Sequence, residues 1–133
     1  MDKSRRQKLL NKKIIEEPIL ALPYFEKVFQ VETNASGVVV GTVLSQEQRP
    51  IVYFSEKLNE AKKKYTSYDK EFYTIVRALE KWRHYLLPKE FILYSDSHTL
   101  QFINNQSKLN QKHAKWVEFF QSFTFVIKNK SGK

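Results

Sequence analysis

Cysteine is absent from the 133 residues, which excludes a disulfide scaffold, a thiol nucleophile and any cysteine-ligated zinc or iron–sulfur site. No apolar run approaches the roughly 20 residues that span a bilayer, so no membrane partner is expected. The N-terminus lacks the apolar stretch of a secretory signal, which points to an intracellular protein, cytoplasmic or nuclear. Glycosylation-pattern matches at Asn34, Asn105 and Asn129 lose their weight on that reading, because the acceptor chemistry needs a secretory route. Internal repeats and low-complexity tracts are also lacking. Acidic side chains are in the minority, 14 against 23 Lys plus Arg, for a formal charge of +9.

The length suits one ordinary domain. With 41% hydrophobic and 28% charged residues a packed core is within reach and wholesale disorder is not expected. The positive charge is uneven. Residues 1–13 hold Lys3, Arg5, Arg6, Lys8, Lys12 and Lys13 against Asp2 alone, a net +5, which leaves +4 of the +9 on the remaining 120 residues. A basic arm on a mildly basic body suits a polyanionic partner, and it equally suits a solubilising tail or a localisation signal.

Apolar periodicity gives the expected elements. From Ser4 to Glu17, Leu9, Leu10, Ile14 and Ile15 pattern a short amphipathic helix that Pro18 and Pro23 stop. Val28–Thr33, Val38–Leu44 and Ile51–Phe54 read as three strands of an antiparallel meander. They are joined by the Asn34–Gly37 turn and a polar Gln46–Pro50 connection. Phe72, Ile75, Val76, Leu79, Trp82 and Leu86 then form the apolar face of one long helix closed by Pro88. Thr66 and Asp69 are spaced as an N-terminal cap, and Glu71 falls in the first turn on the side of the buried stripe. A fourth strand over Phe91–Ser95 ends at Asp96. Short helices around Thr99–Ile103 and Asn110–Phe120 and a last strand over Phe123–Ile127 follow. That order implies an α/β domain, a mixed sheet with helices on its faces.

Asp96 stands where a central strand ends, the usual position of a ligand crevice. Glu71 enters from the long helix and Asn34 from the end of the first strand, so three polar groups converge on a candidate metal cradle. Taken alone, an Asp–Glu pair is more often solvated than metal-bound.

Several longer stretches are specific. They are Leu20-Ala21-Leu22-Pro23, Val31-Glu32-Thr33-Asn34-Ala35-Ser36, Val52-Tyr53-Phe54-Ser55-Glu56-Lys57-Leu58 and Tyr68-Asp69-Lys70-Glu71. Lys81-Trp82-Arg83-His84-Tyr85-Leu86-Leu87, Tyr94-Ser95-Asp96 and Lys112-His113-Ala114-Lys115-Trp116 complete the set. In this order and spacing they resemble the RNase H domain at the C-terminal end of gypsy-type LTR retrotransposon reverse transcriptases, most of all the copies in plant genomes. The resemblance implies an RNase H-like fold, a five-stranded mixed sheet flanked by helices, over residues 18–133. Residues 1–17 would be a basic arm or helix at the end of the reverse transcriptase connection. It implies hydrolysis of RNA in RNA–DNA hybrids by two magnesium ions, one activating water and one stabilising the departing oxygen.

The family holds its metals with four carboxylates. Carried over by position, the long-helix glutamate is Glu71 and the fourth-strand aspartate is Asp96, while the first-strand aspartate falls on Asn34. The fourth carboxylate has no counterpart before the chain stops at Lys133, so a terminal helix is expected to be missing. Ser97 stands where the family often has His, with His98 one position on. Two carboxylates against two divalent ions, with Asn34 offering one neutral oxygen, imply weakened magnesium binding. A loss of roughly 4 kcal/mol costs about a thousandfold in rate, so the nuclease is expected to be absent or very weak. An enzyme still active with Glu71 and Asp96, and a non-enzymatic nucleic-acid or protein-interaction module, are the alternatives.

Tyr65, Tyr68 and Lys70 near the start of the long helix, and Lys108, Lys112 and Lys115 near the later one, form a candidate phosphate-tracking stripe for an RNA–DNA hybrid or RNA. Each taken singly reads as a solvated surface residue. No small-molecule ligand other than metal is expected, and metal-ligand spacing is lacking for His84 and His113. Phe119, Phe120, Phe123 and Phe125 read mainly as core, and any remainder bared by a missing helix would offer a protein-partner surface.

Overall fold

Alternation of side chains decides which residues of the central strands go inside. Val31 and Thr33 of one strand, and Val40, Thr42 and Leu44 of the next, are buried, while Glu32 and Asn34 are exposed. The computed structural model describes residues 14–15, 19–95 and 111–129.

The strands are β1 (Ile14–Ile15), β2 (Gln30–Ala35), β3 (Val39–Gln46), β4 (Arg49–Lys57), β5 (Phe91–Ser95) and β6 (Phe125–Asn129). The helices are α1 (Glu60–Lys63), α2 (Ser67–Lys81), α3 (Arg83–Leu86) and α4 (Gln111–Phe120). Five strands of five residues or more form a mixed sheet, and the two-residue β1 extends its β4 edge, in the spatial order β1-β4-β3-β2-β5-β6. The meander β2–β3–β4 is antiparallel, whereas β5 runs parallel to β2 and β6 parallel to β5. Thus β2 and β5 are neighbours whose C-terminal ends lie together.

The core forms where α2 lies on β2 and β3 and α4 packs against α2. Phe72, Ile75, Ala78 and Leu79 of α2 meet Val31, Leu44, Phe54 and Leu93 of the sheet. Each of these side chains larger than alanine contributes about 1.5–3 kcal/mol on full burial. Phe120 and Phe123 are buried, and Phe119 and Phe125 pack partly buried against the same cluster, as core residues should.

Four expectations need correction. Ile14 and Ile15 form a strand paired with Ser55 and Glu56, so tertiary pairing rather than helical periodicity governs them. The rest of the Ser4–Glu17 arm outside these two residues lies beyond the described residues. The Gln46–Pro50 connection is a two-residue turn, with Glu47 at φ 51° and Gln48 at φ 68°, and β4 runs through Pro50. The long helix is divided at Trp82, whose φ −112° and ψ 30° leave the α region, and a single turn, α3, follows. Trp82 is buried with its ring edge-on to Phe54, and this packing accompanies the break where no glycine or proline interrupts the sequence. Glu71 is the fifth residue of α2, just past the first turn rather than within it. The expected Thr99–Ile103 helix and the turn expected over Lys130–Lys133 lie outside the described residues.

Candidate active site

The start of α2 sets the site. Thr66 is extended and its hydroxyl accepts from Asp69 N at 3.1 Å, which fixes the first turn. Four positions before Ile75, Glu71 is thereby turned onto the sheet, only 6% exposed. One carboxylate oxygen, Oε2, receives two hydroxyls: Thr33 Oγ1 of β2 donates at 2.9 Å and Ser95 Oγ of β5 donates at 2.6 Å. Hydrogen bonds to an ionised carboxylate are about twice as strong as neutral ones, which compensates for burying the group.

Asn34 follows Thr33 and lies on the other, exposed side of β2, paired in register with Gly41. The described contacts therefore bring Glu71 to Thr33 and Ser95. Asp96, immediately beyond β5, and Lys108 lie outside the described residues. Among the described residues there is no group of three or more His, Cys, Asp or Glu that could hold a metal ion. No helix among them is long and apolar enough to cross a membrane.

The basic stripe divides by occupation. Lys70 Nζ donates to Gly37 O at 3.1 Å and so fastens the β2–β3 turn. Lys112 Nζ donates to Asp69 Oδ2 at 2.9 Å and sits 3.9 Å above the Tyr65 ring. Tyr68 and Lys115 are exposed.

Two features went unread in the sequence. His113 Nε2 lies 2.7 Å from Asp69 Oδ1, so both oxygens of Asp69 are engaged by α4. Burial alone would raise the Asp69 pKa, but the hydrogen bonds from Lys112 and His113 outweigh it and hold the carboxyl below the ordinary aspartate value. The second feature is the hydroxyl pair on Glu71. Its available signal was positional: Thr33 and Ser95 stand one residue before Asn34 and Asp96 on neighbouring strands.

A family model described as the RNase H-like domain found in reverse transcriptase matches residues 24–123. The Retrovirus-related Pol polyprotein from transposon 297 of Drosophila melanogaster is 38% identical over 120 residues, covering 90% of this chain and 11% of that protein. The Transposon Tf2-3 polyprotein of Schizosaccharomyces pombe is 34% identical over 128 residues, again 90% of this chain and 10% of that protein. The chain thus spans about a tenth of the length of these curated relatives. Among solved structures, the foamy viral protease-reverse transcriptase in complex with dsDNA matches with a TM-score of 0.67 and 23% identity, over 83% of this chain and 25% of that one. The same protein in complex with RNA/DNA hybrid matches with a TM-score of 0.63 and 23% identity, over 78% and 15%. At these identities the solved structures establish the fold, mixed sheet and flanking helices alike.

Proposed function

The chain belongs to the RNase H-like domains of reverse transcriptase in retrotransposon polyproteins, and from that premise we propose that its hybrid-cleaving centre is disabled. The observation that carries this is Asn34, a neutral amide at the position where the family resemblance expects the first-strand aspartate. On this reading residues 18–133 are the nuclease-like domain, residues 1–17 a basic arm, and the source a gypsy-type element of the plant kind working inside the cell.

The donor chemistry suits a divalent cation but falls short in charge. Glu71 offers hard anionic oxygens on a carboxylate already held by two hydroxyls. Magnesium would be held by Glu71 and Asp96, while Asn34, on the exposed side of β2, brings no charge to it. In an intact centre a pair of such ions supplies an activated water and a stabilised leaving oxygen. With formal charge −2 from two carboxylates against +4 from two ions, affinity is weakened and turnover falls with it. What this chain's own residues retain is presentation: β2, β5 and α2 bring Thr33, Ser95 and Glu71 together.

Binding of an RNA–DNA hybrid is the function left to it. Solved proteins of the same fold are complexes with dsDNA and with RNA/DNA hybrid, and exposed Tyr68 and Lys115 flank the start of α2 and the middle of α4. The deciding assay is magnesium-dependent cleavage of a labelled RNA–DNA hybrid. The chain is expected to bind without appreciable turnover, and Asn34→Asp to raise the rate at least about tenfold, which corresponds to ~1.4 kcal/mol. Robust cleavage by the unaltered chain overturns the reading.

A further inference from the structure

We propose that Thr33 and Ser95 are positioning residues for Glu71, a two-strand hydroxyl clamp that holds its carboxylate near the C-terminal ends of β2 and β5. The inference rests on the reading of Glu71 as a metal ligand. Its geometry is independent of that reading.

Three buried hydroxyls lie in a row across adjacent strands. Thr42 of β3 pairs with Thr33 of β2, and Thr33 and Ser95 lie one step beyond the Glu32–Tyr94 pair of β2 and β5. They are 2%, 1% and 0% exposed. Two of the three donate to the same oxygen of Glu71. A hydroxyl has a single proton to donate, and in these two contacts Thr33 and Ser95 each present theirs to this carboxylate. Donors arriving from two different strands fix the plane of the group as well as its position.

The third hydroxyl is a control built into the fold. Thr42 Oγ1 has no hydrogen-bond partner among the described residues. Membership of the buried row therefore does not by itself engage Glu71.

Strand periodicity explains why the clamp residues occupy these positions. Side chains alternate along β2, so Thr33 is turned inward to the helix while its neighbours Glu32 and Asn34 are exposed. Thr33 and Ser95, near the C-terminal ends of the neighbouring parallel strands β2 and β5, both reach Glu71 from the sheet. Partners that orient a metal ligand typically contribute 10–100-fold to metal affinity.

The test uses the whole 133-residue chain carrying Asn34→Asp, with Mn²⁺ alone titrated by calorimetry and the Glu71 carboxyl carbon followed by NMR without metal. Thr33→Val and Ser95→Ala should each weaken Mn²⁺ binding about tenfold or more and broaden or split the Glu71 signal. Thr33→Ser and Ser95→Thr should restore both readouts, and Thr42→Val should change neither. Equal Mn²⁺ affinity across the folded variants, or an equal loss from Thr42→Val, overturns the clamp. If Asn34→Asp binds no Mn²⁺ while the Glu71 signal still responds to Thr33→Val and recovers in Thr33→Ser, the metal reading falls and the clamp stands. If that signal does not respond, the clamp falls too.

Discussion

Asp69 and His113, 44 positions apart, meet at 2.7 Å between the first turn of α2 and the first turn of α4. An ionised carboxylate only accepts, so His113 Nε2 carries the proton of this bond. Lys112 fills the second oxygen. The pair ties α4 to the turn that presents Glu71.

Asp69→Asn should cost about 1 kcal/mol at neutral pH, since charge-assisted bonds to a half-buried group are lost. The sign with pH follows from the lowered Asp69 pKa. The stabilisation is present above the unfolded value, about 3.9, and is lost as pH falls through the folded value. Urea unfolding at pH 7 and in acid should show the gap between the parent and Asp69→Asn closing at the lower pH.

A second prediction concerns Tyr73, whose hydroxyl donates to Glu56 Oε2 while Arg77 Nε donates to Glu56 Oε1 at 2.8 Å. Burial first, and then the Glu56 carboxylate, push the Tyr73 phenol above its ordinary value. The unfolded chain then loses its proton first, so stability falls as pH rises past about 10. Alkaline difference spectroscopy should show one of the seven tyrosines titrating late. Tyr73→Phe should remove that late step, lessen the alkaline loss and cost about 1 kcal/mol at neutral pH.

The elements read most readily from sequence are those ruled by local chemistry. Thr66 predicts the α2 cap, the Phe72–Ile75–Leu79 stripe predicts its buried face, and both place Glu71 against the sheet before any coordinates are known. The turn at Glu47–Gln48 was opaque because its left-handed residues are neither glycine nor asparagine, the types that signal such a turn. Its stability is partly remote: Gln46 donates to the carbonyls of Tyr24 and Lys27 while accepting from Tyr24 N. Ile14–Ile15 and the break at Trp82 likewise depend on distant packing, which a window of neighbours does not contain. Asp69 was visible as a capping residue, but its partners lie on a helix that only the fold brings near.

Phe72 carries a third prediction. Its fully buried ring stacks on Trp116 at 5.1 Å and on Phe120 at 4.8 Å, joining α2 to both turns of α4 that face it. Phe72→Ala should cost about 3–5 kcal/mol through lost burial and the cavity left behind. Trp116 emission should shift to the red as the indole is exposed. A loss below about 1 kcal/mol with unchanged emission would show that α4 is held by other contacts.

The last prediction separates lysines that are alike in sequence. Lys112 is neutralised by Asp69, whereas Lys115, one turn along α4, is exposed. Phosphate contacts gain affinity by releasing counterions, so the logarithm of the binding constant falls with the logarithm of salt in proportion to the number of such contacts. If the domain tracks a hybrid backbone, Lys115→Ala should reduce that slope by about 1 and weaken binding similarly across sequences. Lys112→Ala should leave the slope nearly unchanged, because an ammonium already paired with a carboxylate releases little counterion of its own. The two variants should also differ in stability, since only Lys112→Ala strips an oxygen of Asp69 of its donor. Fluorescence anisotropy over a salt series, beside urea unfolding, reads both effects. Equal slopes for the two variants would place the hybrid away from this face of α4.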